Sequence, residues 1–148
     1  LVNSINKKIS EINWKPDLII ASYHGIPKKY FDKGDPYHCY CHKTTRLISE
    51  KFSLVKIKTT FQSRFGPQEW LQPYTDKTLE NLPKEDVKNV LTICPGFASD
   101  CVETLEEIQI QAKESFLNSG GENFDMVPCL NDNSDHIILL KSLIERNI

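Results

Sequence analysis

Four strand-sized apolar runs, each parted from the next by a stretch of helical spacing, constrain this chain more than any other feature. The runs lie at residues 18–23, 54–61, 87–94 and 124–128. The first is continuously apolar, and the second alternates Val55, Ile57 and Thr59. Between the runs, apolar residues recur every three or four positions, which places them on one face of a helix. That spacing predicts helices over residues 1–12 (Val2, Ile5, Ile9, Ile12), 44–52 (Leu47, Ile48, Phe52), 76–82, 100–118 and 134–146 (Ile137, Ile138, Leu140, Leu143, Ile144). Pro83 stops the third of these, and Ser119-Gly120-Gly121 supplies a C-cap signal for the fourth. Strands separated by helices are most simply parallel and joined by right-handed crossovers. Runs this apolar do not suit a sheet wetted on one face. The expected fold is α/β: a four-stranded parallel sheet flanked by helices on both faces.

A length of 148 residues suits one compact domain, and no linker, repeat or low-complexity segment divides it. A single α/β domain over residues 1–148 is therefore expected. Lys+Arg is 18 against 20 for Asp+Glu, a net charge of −2, so nucleic acid is not an expected partner. No apolar run approaches the roughly 20 residues of a membrane-spanning helix. No secretory signal is read either. Five unevenly spaced cysteines argue against a disulfide framework and for a reducing compartment.

In parallel sheets the chemistry gathers beyond the carboxyl ends of the strands. Three segments fall there and would open on one edge: Ser22-Tyr23-His24-Gly25-Ile26-Pro27, Gln62-Ser63-Arg64-Phe65-Gly66-Pro67 and Pro95-Gly96-Phe97-Ala98-Ser99-Asp100. His24 could exchange protons near neutral pH, or simply hydrogen-bond a neighbouring loop. Asp100 reads as an N-cap, with Glu103 completing a capping-box-like pattern. Yet Glu103, Glu107 and Gln111 are each four apart and form one stripe, while Val102, Leu105, Ile108 and Ala112 mark an apolar face. An oxygen-bearing stripe leading away from a crevice could carry protons or a hard cation; a solvated face explains it equally well. Phe65 and Trp70 could line a pocket for a flat ligand, or form satellite core under a loop.

Two tempting patterns do not carry through. Asp35-Pro36-Tyr37-His38-Cys39-Tyr40-Cys41-His42 has one residue between its cysteines, not the about two to four of a zinc knuckle, and no second pair follows. No structural metal is expected there. The six glycines form neither a G-x-G-x-x-G turn nor a P-loop, so the phosphate cradle of a nucleotide site is missing.

Taken together, the three strand-end segments resemble ferrochelatase, the family that inserts Fe²⁺ into a porphyrin. Gly34-Asp35-Pro36-Tyr37, Trp70-Leu71-Gln72-Pro73-Tyr74-Thr75-Asp76 and Cys101-Val102-Glu103-Thr104-Leu105-Glu106-Glu107-Ile108 add to the match, which runs over the whole chain in the family's order. The resemblance implies a chelatase-like (Rossmann-like) half, the carboxyl-terminal part of a two-domain enzyme. It implies protoporphyrin IX and Fe²⁺ as substrates, the last step of haem biosynthesis, and release of two protons. A coproporphyrin enzyme, or a porphyrin-binding half without turnover, is the alternative. His24 and Glu103 match the catalytic pair that meets the metal, Glu107 the proton path, and Tyr23, Trp70 and Phe65 the porphyrin pocket. Gln111 stands where many members carry a carboxylate, and Cys101 where some carry a histidine. No cofactor is implied: the chain ends Glu145-Arg146-Asn147-Ile148, without the cysteine group that holds a [2Fe–2S] cluster in some relatives. The implied partner is the missing amino-terminal half, which would also supply any peripheral membrane contact. The implied location is the cytoplasm of a bacterium, or an organelle in a eukaryote.

Overall fold

The computed structural model describes residues 1–52 and 54–148. Four strands form one sheet: β1 (Leu18–His24), β2 (Ile57–Gln62), β3 (Asn89–Ile93) and β4 (Asn123–Val127). Their order is β2-β1-β3-β4, and every pairing is parallel. Helix α1 (Val2–Glu11) precedes β1. Helices α2 (Lys28–Asp32) and α3 (Tyr37–Lys51) cross from β1 to β2, and α4 (Thr75–Asn81) from β2 to β3. The β3–β4 crossover holds α5 (Val102–Leu105), a π-helical segment (Glu107–Ala112) and α6 (Lys113–Asn118), and α7 (Ser134–Glu145) follows β4.

Handedness decides which face each crossover covers. The step from β1 to β2 runs one way across the sheet, and the later steps run the other way. Right-handed crossovers therefore put α3 on one face and α4 and α6 on the opposite one. Two cores result. Ile19, Ala21 and Tyr23 of β1 pack with Ile5, Ile48, Phe61 and Leu91 on the α1/α3 side. Ile20 packs with Leu79, Val90, Ile108, Phe116 and Phe124 on the other. Alternate residues of β1 thus point to opposite faces, as the pleat requires.

Several boundaries depart from expectation for local reasons. Helix α3 starts at Tyr37, not at residue 44, because the Asp35 carboxylate accepts the Tyr37 N–H at 2.8 Å and begins the turn early. The Tyr37–His42 cluster is consequently helical, with Cys41 buried and Cys39 exposed. Pro83 does not end the chain's helical course at that point. It lies early in a 3₁₀ turn (Leu82–Glu85), where a missing N–H costs little. Helix α2 has no counterpart among the predicted elements. Helix α7 was expected to close the fold, yet Ile137, Ile138, Leu139, Leu140, Leu143 and Ile144 are 42% to 66% exposed. Only His136 of α7 is buried, its Nδ1 2.8 Å from the Asn131 carbonyl.

Burial leaves two acidic groups in the α1/α3 core costly to ionise. It pushes the Tyr23 phenol from 10.0 to about 12 and the Cys41 thiol from 9.0 to about 11. Both shifts are upward, so the stability they represent is intact below the unfolded values and lost as pH rises through the folded ones. The denaturant midpoint is expected to hold up to pH 9.0 and then fall towards pH 12. Cys41→Val should lessen the lower part of that fall in a chemical-denaturation series, to which the raised Cys94 and Cys129 thiols also contribute.

Candidate active site

The strand order reverses at β1: the chain steps from β1 to one neighbour, then returns to place β3 on its other side. Crossovers leaving on opposite faces open a crevice beyond the carboxyl ends of β1 and β3. His24 is the last residue of β1, and the Pro95–Cys101 loop leaves β3 beside it. The His24 and Phe97 rings lie 6.2 Å apart. His24 Nδ1 is 2.6 Å from the Gly25 carbonyl. A carbonyl can only accept, so Nδ1 is the donor in this contact. Tyr37 steadies the same turn by donating its hydroxyl to the His24 carbonyl at 2.8 Å.

Gly25 is required by close approach. Its N–H bonds the Gln62 carbonyl at 2.8 Å, and a Cβ there would lie 2.9 Å from that oxygen and 3.3 Å from Trp70 Cε3. The backbone behind it forms a short antiparallel bridge from Pro27 to Trp70. The Trp70 indole donates to the Phe65 carbonyl at 3.0 Å and is 9% exposed, whereas the Phe65 ring is 84% exposed. Trp70 also lines a cavity of about 250 Å³ with Lys28, Phe31, His38 and Glu69. Tyr23 is placed differently from expectation. Its ring is 2% exposed against Phe61 and its hydroxyl bonds Thr45 at 2.9 Å, so it supports the site from within the core.

The helix after β3 is neither capped nor wound as predicted. Cys101 is the N-cap, and the reciprocal partner is Thr104, whose Oγ1 accepts the Cys101 N–H at 3.0 Å. Asp100 instead ties the helix start to the segment after β4. It accepts from Thr104 Oγ1 at 3.1 Å, the Cys129 N–H at 3.2 Å and Asn131 Nδ2 at 2.8 Å. Burial alone would raise Asp100, but these donors outweigh it and hold the carboxyl below its ordinary range. Glu103 is thereby released from the capping role assigned to it. A hydrogen bond from the Cys101 side chain, then its own backbone N–H and the nearby His24 charge, hold the Glu103 carboxyl below the usual range.

Four residues on, the helix widens to the π segment, where the Gln111 N–H reaches back five residues to the Glu106 carbonyl at 2.9 Å. The buried face is Thr104, Ile108, Ala112 and Phe116, and Val102 and Leu105 are exposed, contrary to the predicted face. Glu107 meets the end of β2: the Ser63 N–H donates to Oε1 at 2.7 Å and the Ser63 hydroxyl to Oε2 at 2.6 Å. Glu107 and Gln111 line a cleft of about 270 Å³ with Ser63, Arg64, Asp76 and Ser115. Glu103 is not part of its lining. Among the described residues no group of three or more His, Cys, Asp or Glu side chains is arranged to hold a metal. Among the described residues no helix is long and apolar enough to cross a membrane. Phe97 and Ser63 are not singled out by the sequence reading, although each lies inside a strand-end segment that is.

A four-stranded parallel sheet whose order reverses at β1, with His24 at the strand end there, places the chain among the α/β proteins that open a crevice at a topological switch point. The ferrochelatase family model matches residues 1–148, and the chain belongs to the ferrochelatase family. It is 55% identical to the ferrochelatase of Rhizobium meliloti (strain 1021), covering 100% of this chain and 44% of the relative's length. The ferrochelatases of Allorhizobium ampelinum and Brucella ovis are 54% and 49% identical, again over 100% of this chain, and it covers 44% and 43% of their lengths. The chain therefore spans less than half the length of the curated relatives it matches.

Gly25→Ala should press a methyl group onto the Gln62 carbonyl and the Trp70 ring. It should cost about 1–3 kcal/mol in denaturant unfolding, with an altered Trp70 fluorescence maximum. Cys101→Ala removes the largest influence lowering Glu103, whose carboxyl should titrate closer to its ordinary 4.5 by NMR. The charged form would then be lost at higher pH than in the parent.

Proposed function

We propose that the protein containing this chain is a ferrochelatase that inserts Fe²⁺ into protoporphyrin IX. One observation supports the mechanism: an imidazole whose Nδ1 donates to the Gly25 carbonyl stands at the end of β1, near enough to Glu103 to help hold that carboxyl below its ordinary range. Metal insertion forms four iron–nitrogen bonds and releases the two pyrrole protons, with no change in iron oxidation state. His24 Nε2 is the group that takes a pyrrole proton or guides the metal. Glu103, whose carboxyl is held below its ordinary range, takes the complementary part on the other side of the ring. Glu107 passes protons outward into the cleft that it shares with Gln111. The Trp70 and Phe65 rings offer apolar area to a flat macrocycle, and Tyr23 contributes from the core through its packing on Phe61.

Distorting the macrocycle exposes its nitrogen lone pairs, and binding energy away from the reacting centre supplies that strain. Part of that binding belongs to the portion of the protein outside this chain, so residues 1–148 alone are expected to be inactive. No resident cofactor is needed for a step without electron transfer. We place the enzyme in the cytoplasm, with any contact to a membrane surface made by the amino-terminal half.

The test is a metal-insertion assay on the full-length protein, followed by the loss of porphyrin fluorescence. His24→Ala should abolish insertion and leave porphyrin binding measurable. Glu103→Gln should slow the chemical step by roughly 10²-fold or more. Persistence of the parental rate in His24→Ala would remove the imidazole from the reaction. Faster turnover with Co²⁺ or Ni²⁺ than with Fe²⁺ would point to a chelatase for another metal.

A further inference from the structure

We propose that Ser63 is a positioning residue: it fixes both oxygens of the Glu107 carboxylate at the head of the outward cleft. The inference rests on the proton-path role given to Glu107 above. Ser63 is the first residue after β2 and has φ of 61°, in the left-handed region that side chains other than glycine seldom adopt. That conformation turns its N–H and its hydroxyl to the same side. Both meet one carboxylate, at 2.7 Å to Oε1 and 2.6 Å to Oε2. Gln62 Nε2 adds a longer contact to Oε2 at 3.3 Å and donates to the Glu103 carbonyl at 2.7 Å. Gln62 is buried and held in turn by the Ser22 hydroxyl at 2.7 Å.

The end of β2 therefore grips the helix at two points, one turn apart. Gln62 holds the backbone at Glu103, and Ser63 holds the side chain of Glu107. An ionised carboxylate only accepts, and here donors engage both of its oxygens. With both engaged, Glu107 does not swing between the crevice and the cleft of about 270 Å³ lined by Gln111 and Ser115. It is a fixed station, and protons come to it. A purely structural latch would use the same bonds but would affect stability and not the reaction.

Kinetics of the full-length enzyme separate the two. Ser63→Ala removes the hydroxyl, and Ser63→Gly removes it while easing the left-handed backbone. The expected result for both is a fall in kcat of about 10-fold to 100-fold, the cost of a displaced reacting group, with KM for porphyrin unchanged. In a Glu107→Gln background the same substitutions should change kcat by less than about 2-fold, since coupled residues are not additive. An unchanged kcat, an equal fall in both backgrounds, or failure of both variants to fold would overturn the proposal. Absence of insertion by the parental enzyme would instead overturn the proposed function.

Discussion

The strand order β2-β1-β3-β4 reverses at β1, and right-handed crossovers then send the helices on either side of that strand to opposite faces of the sheet. Everything functional sits where that reversal leaves a gap. Because α3 leaves β1 on one face and the β3 crossover departs on the other, the two loops diverge and neither fills the space between them. His24 stands at one lip of the gap. The loop carrying Phe97, Asp100 and Cys101 forms the other and delivers Glu103. The β2 end closes the side, where Gly25 lies against the Gln62 carbonyl. Shape and chemistry thus come from a single topological event, not from separately evolved pockets.

Much of this was legible in the sequence because burial on both sheet faces leaves a plain record. The four apolar runs gave four strands in parallel, and the helices between them fell on both sides. The strand-end segments pointed to one edge because parallel strands all finish there. Reading failed where a side chain, and not a periodicity, decides the local structure. Asp35 starts α3 seven residues before its apolar spacing begins. Thr104, not Glu103, completes the helix cap, because the Cys101 N–H needs a short side chain held close. Neither choice leaves a mark in hydrophobic pattern.

The crossover after β3 is the most instructive case. Buried positions there fall at Thr104, Ile108, Ala112 and Phe116, every fourth residue. On a regular helix of 3.6 residues per turn, a spacing of four drifts by about 40° at each step. Three steps would carry Phe116 away from the sheet. The π segment absorbs that drift, and the same adjustment keeps Glu103 and Glu107 on a common side. A 3.6-residue period groups Val102 and Leu105 with Ile108 and Ala112 as one apolar face, but only the latter two are buried.

Helix α7 has a practical consequence. Six aliphatic side chains lie exposed along it, and its start is anchored through His136 and the Asn131 carbonyl. Oily stripes of this kind make solitary polypeptides adhere to one another in water. Handled alone in the test tube, the chain would be governed by this stripe in its yield, its tendency to precipitate and its appetite for chaperones, whatever the merit of its well-packed sheet.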